Sequence, residues 1–201
     1  SPLLLLVPDV FLQLPRGHLS HLVHVLTDAG PPHARMIGNG PSPWSFLDWP
    51  ADTPSTDIFA LGLTPQLTGA VLAIVFALAL AAATSRAVWR STDALDRAAL
   101  LVFAGGYLHL GFVALLAGSH ERYCLPAFPL LVLGASRVAP RLVPWILACA
   151  SICGLYVLAT IEFDAFGFFP PLRHPAFAAF FVLPLLVVLA RPLVARYRPT
   201  R

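Results

Sequence analysis

The chain has 201 residues, of which 58% are hydrophobic and 11% charged, with a formal net charge of +3. Soluble domains carry roughly 25% charged residues. This deficit, together with a mean hydropathy of +0.77, excludes an ordinary soluble protein and predicts an integral membrane protein in contact with lipid. All 13 basic residues are arginine. Their number alone does not indicate binding to nucleic acid, and no nucleic-acid partner is predicted.

The beginning of the sequence is typical of a chain that is already part-way through a membrane protein. It opens at Ser1 and runs at once into a proline-bounded apolar stretch, Leu3 to Val7, which resembles the end of a membrane helix. No signal peptide with a basic first region is visible. We therefore expect this chain to be the C-terminal part of a longer protein.

Residues 1–58 are predicted to form an extracytoplasmic loop region with one amphipathic helix lying in the membrane interface. Between Gly17 and Ala29, apolar residues recur as a single helical stripe, which favours an interfacial over a spanning position. The stripe consists of Leu19, Leu22, Val23 and Leu26. Three histidines spread over about a third of the helix circumference, which favours a solvated polar face over a metal site. They are His18, His21 and His24.

Glycine and proline then recur at a density that predicts a shaped loop up to Trp44. Its aromatic residues, Trp44, Phe46 and Trp49, favour a position at the membrane interface. Three aspartates follow, and they leave two interpretations open: solvated loop carboxylates, which their spacing favours, or ligands of a divalent cation. They are Asp48, Asp52 and Asp57.

Five apolar runs within residues 59–201 are predicted to cross the membrane, at about 64–85, 98–118, 123–139, 142–162 and 175–195. A span needs about 20 residues, and the third run approaches this length only when extended through Tyr123. Open sheets cannot satisfy their backbone in lipid, so the runs predict helices. The predicted fold class is an all-α polytopic membrane protein.

Arginine placement predicts the orientation of these helices. Nine arginines fall at one set of helix ends, which the positive-inside rule assigns to the cytoplasm. They are Arg86, Arg90, Arg97, Arg137, Arg141, Arg191, Arg196, Arg198 and Arg201. Eight of the ten acidic residues lie on the opposite side, all except Asp93 and Asp96. The polar groups suited to chemistry are therefore predicted on the extracytoplasmic face.

Three ionisable residues stand together before the third span: His120, Glu121 and Arg122. Pro126 suits the first turn of the helix that follows, whose free amides and positive end favour an anion. Arginine binds phosphate oxygens as a fork, so we predict a lipid-borne phosphate on Arg122, with help from His120. Glu121 would orient Arg122 or a substrate hydroxyl. The alternative is a surface ion pair of Glu121 with Arg122 or Arg173.

Two other features of the sequence are a histidine within a span and three cysteines. His109 lies in mid-span, where an ionisable group is either functional or a neutral histidine bonded to a neighbouring helix. The three cysteines are odd in number and have no metal spacing, so reduced thiols packed as small apolar groups are predicted. They are Cys124, Cys149 and Cys153.

Two segments carry a family resemblance. The run from His120 to Leu131, HERYCLPAFPLL, resembles the HERYL-P-A-PLL segment of polytopic GT-C glycosyltransferases, relatives of the polyprenyl- or dolichyl-phosphate-mannose-dependent mannosyltransferases. The run from Asn39 to Leu47, NGPSPWSFL, is similar to the family's NAYNLWWLL stretch and is likewise followed by a short loop and a span. The departures from the family pattern are Gly40, Pro41, Ser42 and Cys124.

The resemblance implies an inverting glycosyltransferase, specifically a mannosyltransferase, using a polyprenyl-phosphate-linked sugar donor on the outer face of a bacterial plasma membrane. The acceptor hydroxyl attacks the anomeric carbon while the lipid phosphate leaves, which needs a carboxylate base and cations near the phosphate. In the family the base lies in the first extracytoplasmic loop, which we expect upstream of Ser1. No cofactor is assigned beyond the divalent-cation alternative.

The predicted site therefore has two parts. Donor phosphate binding is assigned to Arg122, His120 and Tyr123. Orienting or acceptor contacts are assigned to Glu121, Asn39, Trp44 and Arg173. A lipid-linked sugar flippase or other transporter is the alternative, and it would carry polar residues in broken helices near the midplane, where only His109 and Gly105-Gly106 fit. A non-catalytic membrane scaffold is the third interpretation.

Overall fold

The computed structural model describes residues 40–46, 62–117, 119, 121–161 and 174–195. Several predicted features lie outside these residues, and the structure neither supports nor opposes them. They are the amphipathic helix from Gly17 to Ala29 with its histidines, Trp49, and the aspartates Asp48, Asp52 and Asp57.

The described chain is built from six α-helices and three short 3-10 helices. The α-helices are α1 (Pro65–Arg90), α2 (Ala94–Leu115), α3 (Ala127–Val138), α4 (Val143–Ile161), α5 (Pro175–Leu189) and α6 (Arg191–Ala195). The 3-10 helices are Pro43–Phe46, Glu121–Cys124 and Pro140–Leu142.

Four stretches of the described chain are helices long and apolar enough to cross a membrane. They are Pro65–Arg90, Ala94–Leu115, Pro140–Thr160 and Pro175–Val194. The predicted fold class, an all-α polytopic membrane protein, is confirmed. Helix α3 differs from the other four because its 12 residues extend only about 18 Å, against about 30 Å of hydrocarbon. It follows the 3-10 helix Glu121–Cys124 rather than extending through Tyr123.

Side-chain caps fix where the first two helices begin. The Thr64 hydroxyl accepts from the Leu67 N–H at 3.1 Å and caps α1, and the Asp93 carboxylate accepts from the Leu95 N–H at 3.0 Å and caps α2. These bonds satisfy amides that a helix start leaves free. Only residues 91–93 separate the two helices, so α1 and α2 form a hairpin. Helix α1 extends beyond the predicted span of about 64–85, so Arg86 and Arg90 belong to its last turns.

Helix α2 packs most closely against α3, and glycine makes this possible. A Cβ on Gly134 of α3 would lie 2.5 Å from the Phe103 backbone nitrogen of α2. A Cβ on Gly106 of α2 would lie 2.9 Å from the Ala127 carbonyl oxygen of α3. Small residues let membrane helices approach to backbone contact, where dispersion and weak polar contacts hold them together. The two pairs run in opposite senses, so α2 and α3 are antiparallel.

A close contact at a glycine also joins α1 to α2. A Cβ on Gly69, near the start of α1, would lie 2.7 Å from the carbonyl oxygen of Leu115, at the end of α2. Farther along, the ring of Phe76 lies directly over Gly111 and meets the Tyr107 ring edge-on, with 5.0 Å between ring centroids. Helix α2 therefore contacts α1 at Gly111 and α3 at Gly106.

Helix α5 is attached to α2 by a polar bond inside the bundle. The Tyr107 hydroxyl donates to the Leu186 carbonyl oxygen at 2.7 Å. In a regular helix this carbonyl would accept from Ala190, but the Ala190 N–H donates to Val188 instead. Val188 in turn can accept no bond from Pro192, which has no N–H. Near this helix end the Leu186 carbonyl accepts from the Tyr107 hydroxyl.

The helix ends gather into two groups. At one end, Arg137 of α3 pairs with both Asp93 and Asp96 at the start of α2. The Leu95 N–H and, after it, the Arg137 guanidinium hold the pKa of Asp93 below its usual range. The described arginines other than Arg122 belong to this end, which agrees with the predicted charge asymmetry.

The contact between α2 and α3 should be sensitive to one methyl group. Gly134→Ala is expected to destabilise the protein by about 1–3 kcal/mol, the usual cost of overpacking, although alanine favours helix by about 1 kcal/mol. Gly105→Ala is the matched control, since a Cβ there meets nothing within 4 Å. The midpoint of thermal unfolding in detergent is measured for both variants. Equal midpoints for the two variants would contradict the packing described.

Candidate functional site

Two stretches that are far apart in sequence touch at the end of the bundle opposite Arg137. A Cβ on Gly40 would lie 2.5 Å from the Ser119 carbonyl oxygen and 2.7 Å from its Cβ. Position 40 therefore accepts only glycine without a shift of the backbone. Asn39 and His120 are the chain neighbours of these two residues. Gly40 lies in the segment from Asn39 that carries the family resemblance, and Ser119 directly precedes the segment from His120.

Trp44 holds this arrangement in place. Its side chain is 4% exposed, and its indole N–H donates to the Leu115 carbonyl oxygen at 2.9 Å. The last carbonyls of a helix have no partner within the helix, and Trp44 supplies one for α2. Trp44 lies at the helix end, as an interface residue would, but within the protein rather than against lipid. The orienting or acceptor contact assigned to Trp44 stays a prediction, and its indole N–H is bonded to α2.

The turn that carries Trp44 is compact. Its serines are both buried, and the Ser45 hydroxyl donates to the Ser42 carbonyl oxygen at 2.5 Å. Pro41 is fully buried beside them. The 3-10 helix Pro43–Phe46 also packs against α5. Serine and proline at positions where the resemblance would have other residues therefore build a closed turn.

Tyr123 and His109 meet through the backbone. The Tyr123 side chain is 44% exposed, and its carbonyl oxygen lies 2.7 Å from the His109 Nε2 atom. A carbonyl can only accept, so Nε2 carries the proton of this bond. Of the two interpretations left open for His109, this contact favours the hydrogen-bonded histidine. The bond ties α2 to the segment that contains the predicted phosphate site.

The start of α3 offers an anion fewer amides than the sequence indicates. Pro126 is the N-cap rather than a first-turn residue, and neither it nor Pro129 has an N–H. The Phe128 N–H donates to the Leu125 carbonyl oxygen at 3.2 Å. Ala127 is fully buried. The predicted contribution of helix amides to anion binding is therefore small at this end, and the prediction rests on side chains.

The cysteines form a cluster that spacing did not predict. All three are free and buried, as expected for small apolar groups. The Cys153 side chain of α4 packs in the same buried cluster as Cys149 of α4 and Cys124 of the 3-10 helix Glu121–Cys124. Within the described residues no group of three His, Cys, Asp or Glu side chains has a geometry suited to a metal ion. The cluster attaches the residue after Tyr123 to α4.

His174 is a polar residue at this end that the sequence analysis did not select. Its Nδ1 atom accepts from the Ala176 N–H at 3.1 Å and caps α5. Burial lowers the pKa of His174, which suits a ring nitrogen that must stay unprotonated to accept. The signal in the sequence was Pro175, because proline at a first helical position marks the residue before it as a cap.

The remaining site residues are described in part or not at all. His120, Asn39 and Arg173 lie outside the described residues. Glu121 and Arg122 are described by their backbone alone, within the 3-10 helix Glu121–Cys124. The structure therefore positions the segment that carries Arg122, and it leaves the roles of these five side chains as predictions.

Comparisons with known proteins give no family assignment. No protein-family model matches the chain, no curated protein is similar to it, and no solved structure matches its fold.

Trp44→Phe tests whether the indole bond secures this end. The variant keeps an aromatic ring but leaves the Leu115 carbonyl without its donor, and we expect a loss of about 1–2 kcal/mol in the free energy of unfolding. Trp89→Phe is the control, since Trp89 is 90% exposed on α1. The stability of both variants is measured by thermal unfolding in detergent. A Trp44→Phe variant as stable as the wild type would contradict the assignment.

Proposed function

We propose that this chain is the membrane portion of a GT-C type glycosyltransferase that receives a sugar from a polyprenyl-phosphate donor on the extracytoplasmic face. The observation that carries the proposal is the contact between Gly40 and Ser119. Gly40 belongs to the segment from Asn39, and Ser119 directly precedes the segment from His120. The contact supports reading the two resemblances together, since their order and separation along the chain already strengthen each other.

The proposed chemistry uses the positive charge of Arg122. The acceptor oxygen forms a bond to the anomeric carbon, the bond from that carbon to the phosphate oxygen breaks, and the lipid phosphate leaves with the electron pair. A guanidinium that binds the departing oxygens stabilises the charge that develops on them. The acceptor proton passes to a carboxylate base, and the resemblance matches this base to no residue of the chain. A mannosyl donor is proposed from the resemblance alone.

The other residues of the proposed site are assigned roles by the charge or hydrogen-bonding groups that they carry. His120 and Tyr123 can donate to the phosphate, because imidazole N–H and phenol O–H groups are donors. Glu121, Arg173 and Asn39 would orient the guanidinium or contact the acceptor. Trp44 takes a supporting role, since its N–H is bonded to α2.

Helix α2 gives no support to the transporter alternative. Transporters of the broken-helix type expose backbone groups near the midplane. Helix α2 runs unbroken from Ala94 to Leu115 through Gly105 and Gly106. The position of Gly106 is explained by its contact with α3. The glycine pair therefore has a packing role and gives no support to a substrate pathway.

Arg122→Ala in the complete protein should lower sugar transfer by about 100-fold or more, the usual cost of removing one charge-stabilising donor. Arg122→Lys should recover part of the loss, since lysine keeps the charge without the fork. Arg86→Ala, at the other end of the bundle, is the control. Release of polyprenyl phosphate from a polyprenyl-phosphate-mannose donor in membrane vesicles measures the rate. Unchanged turnover of Arg122→Ala would refute the phosphate role.

The proposed orientation can be tested by cysteine labelling. His120→Cys is expected to react with a membrane-impermeant maleimide from outside, and Arg90→Cys only after the membrane is opened. The native cysteines are buried, so they should add little background. Labelling in the reverse pattern would overturn the topology, and with it the extracytoplasmic site.

A further inference from the structure

A long apolar groove lies between α4 and α5, away from the proposed site. Its volume is about 670 Å³, within the roughly 300–1,000 Å³ typical of pockets for small molecules. One helical stripe of each helix lines it, including Trp145, Ile152, Phe181 and Val188. None of these side chains contributes to the site around Arg122.

Two small or unusual residues make room for the groove. Ala148 lines the α4 side with a single methyl group, and Pro184 lines the α5 side within its helix. The lining runs from Arg141, in the 3-10 helix Pro140–Leu142, to Ile152 on α4, a rise of about 16 Å. This is close to the thickness of one leaflet, half of the roughly 30 Å hydrocarbon core. The groove therefore has the length of an acyl chain in one leaflet.

Positive charge is confined to one mouth of the groove. Arg141, from the 3-10 helix before α4, and Arg191, from the start of α6, both line it there. Both are exposed, and within the described part of the chain neither forms an ion pair. Arg137, in contrast, is neutralised by Asp93 and Asp96. Two uncompensated guanidinium groups thus stand above an apolar channel.

We propose that this groove binds one acyl chain of an anionic membrane phospholipid, with the headgroup phosphate held between Arg141 and Arg191. An acyl chain matches the apolar lining, and an anion matches the two guanidinium groups, which bind phosphate oxygens as forks. Basic pockets between membrane helices are recognised sites for anionic headgroups. Trp145, 70% exposed in the same mouth, suits the level of the headgroups.

The test uses the complete protein in detergent, supplied with phosphatidylglycerol or phosphatidylcholine of identical acyl chains. Native mass spectrometry counts the lipid molecules retained. We expect the wild type to retain phosphatidylglycerol roughly an order of magnitude more strongly, in line with two arginines near a headgroup. An Arg141→Gln, Arg191→Gln double variant should lose this preference, and each single variant should lose part of it. No preference in the wild type would overturn the proposal.

A charge-matched control separates the groove from general surface charge. An Arg86→Gln, Arg90→Gln double variant removes two charges at the same end of the bundle, outside the groove, and should keep the wild-type preference. If it loses as much of the preference for phosphatidylglycerol as the Arg141→Gln, Arg191→Gln double variant, the proposal fails. These exposed side chains are replaced without disturbing the core, so folding is expected to be preserved in both variants.

A second pair of variants tests the acyl chain. Ala148→Phe fills the groove and should reduce retention of phosphatidylglycerol several-fold, whereas Ala82→Phe, at an exposed position of α1, should not. Equal retention by both would show that no chain enters the groove. A change of oligomeric state in Ala148→Phe alone, without loss of lipid, would assign the groove to a second copy and also overturn the proposal.

Discussion

The backbone contact between α2 and α3 is the constraint on which the rest of the bundle depends. Glycines at positions 106 and 134 let the two helices touch without intervening side chains. In lipid, apolar side chains gain little by leaving their surroundings, so close packing carries much of the association. Helix α2 then becomes the common partner, with α1 over Gly111 and α5 bonded to Tyr107.

This packing also determines where the polar end of the bundle forms. The short α3 can begin beside the end of α2 because the preceding 3-10 helix is held by His109 and by the cysteine cluster. Trp44 attaches the separate turn at residues 40–46 to the last carbonyl of α2. Hydrogen bonds to the end of α2 and to His109 therefore position the turn at residues 40–46 and the 3-10 helix Glu121–Cys124.

The two ends of the bundle have different electrostatic characters. At the end with Arg122, backbone carbonyls are satisfied by indole and imidazole N–H groups, and few helix amides stay open to an anion. At the other end, one arginine is neutralised by two aspartates, while Arg141 and Arg191 have no such partner in the described chain. The two proposed sites would receive lipid phosphates at opposite ends of the bundle.

The sequence by itself determined the helical class and the positions of the long spans, because hydropathy and length are local properties that lipid enforces on any chain. It also identified the Arg122 segment and the charge asymmetry. It did not predict the length of α3, the meeting of Gly40 with Ser119, the burial of Trp44 or the cysteine cluster. Each of these depends on which residues approach across helices, and such approaches follow from tertiary packing rather than from spacing along the chain.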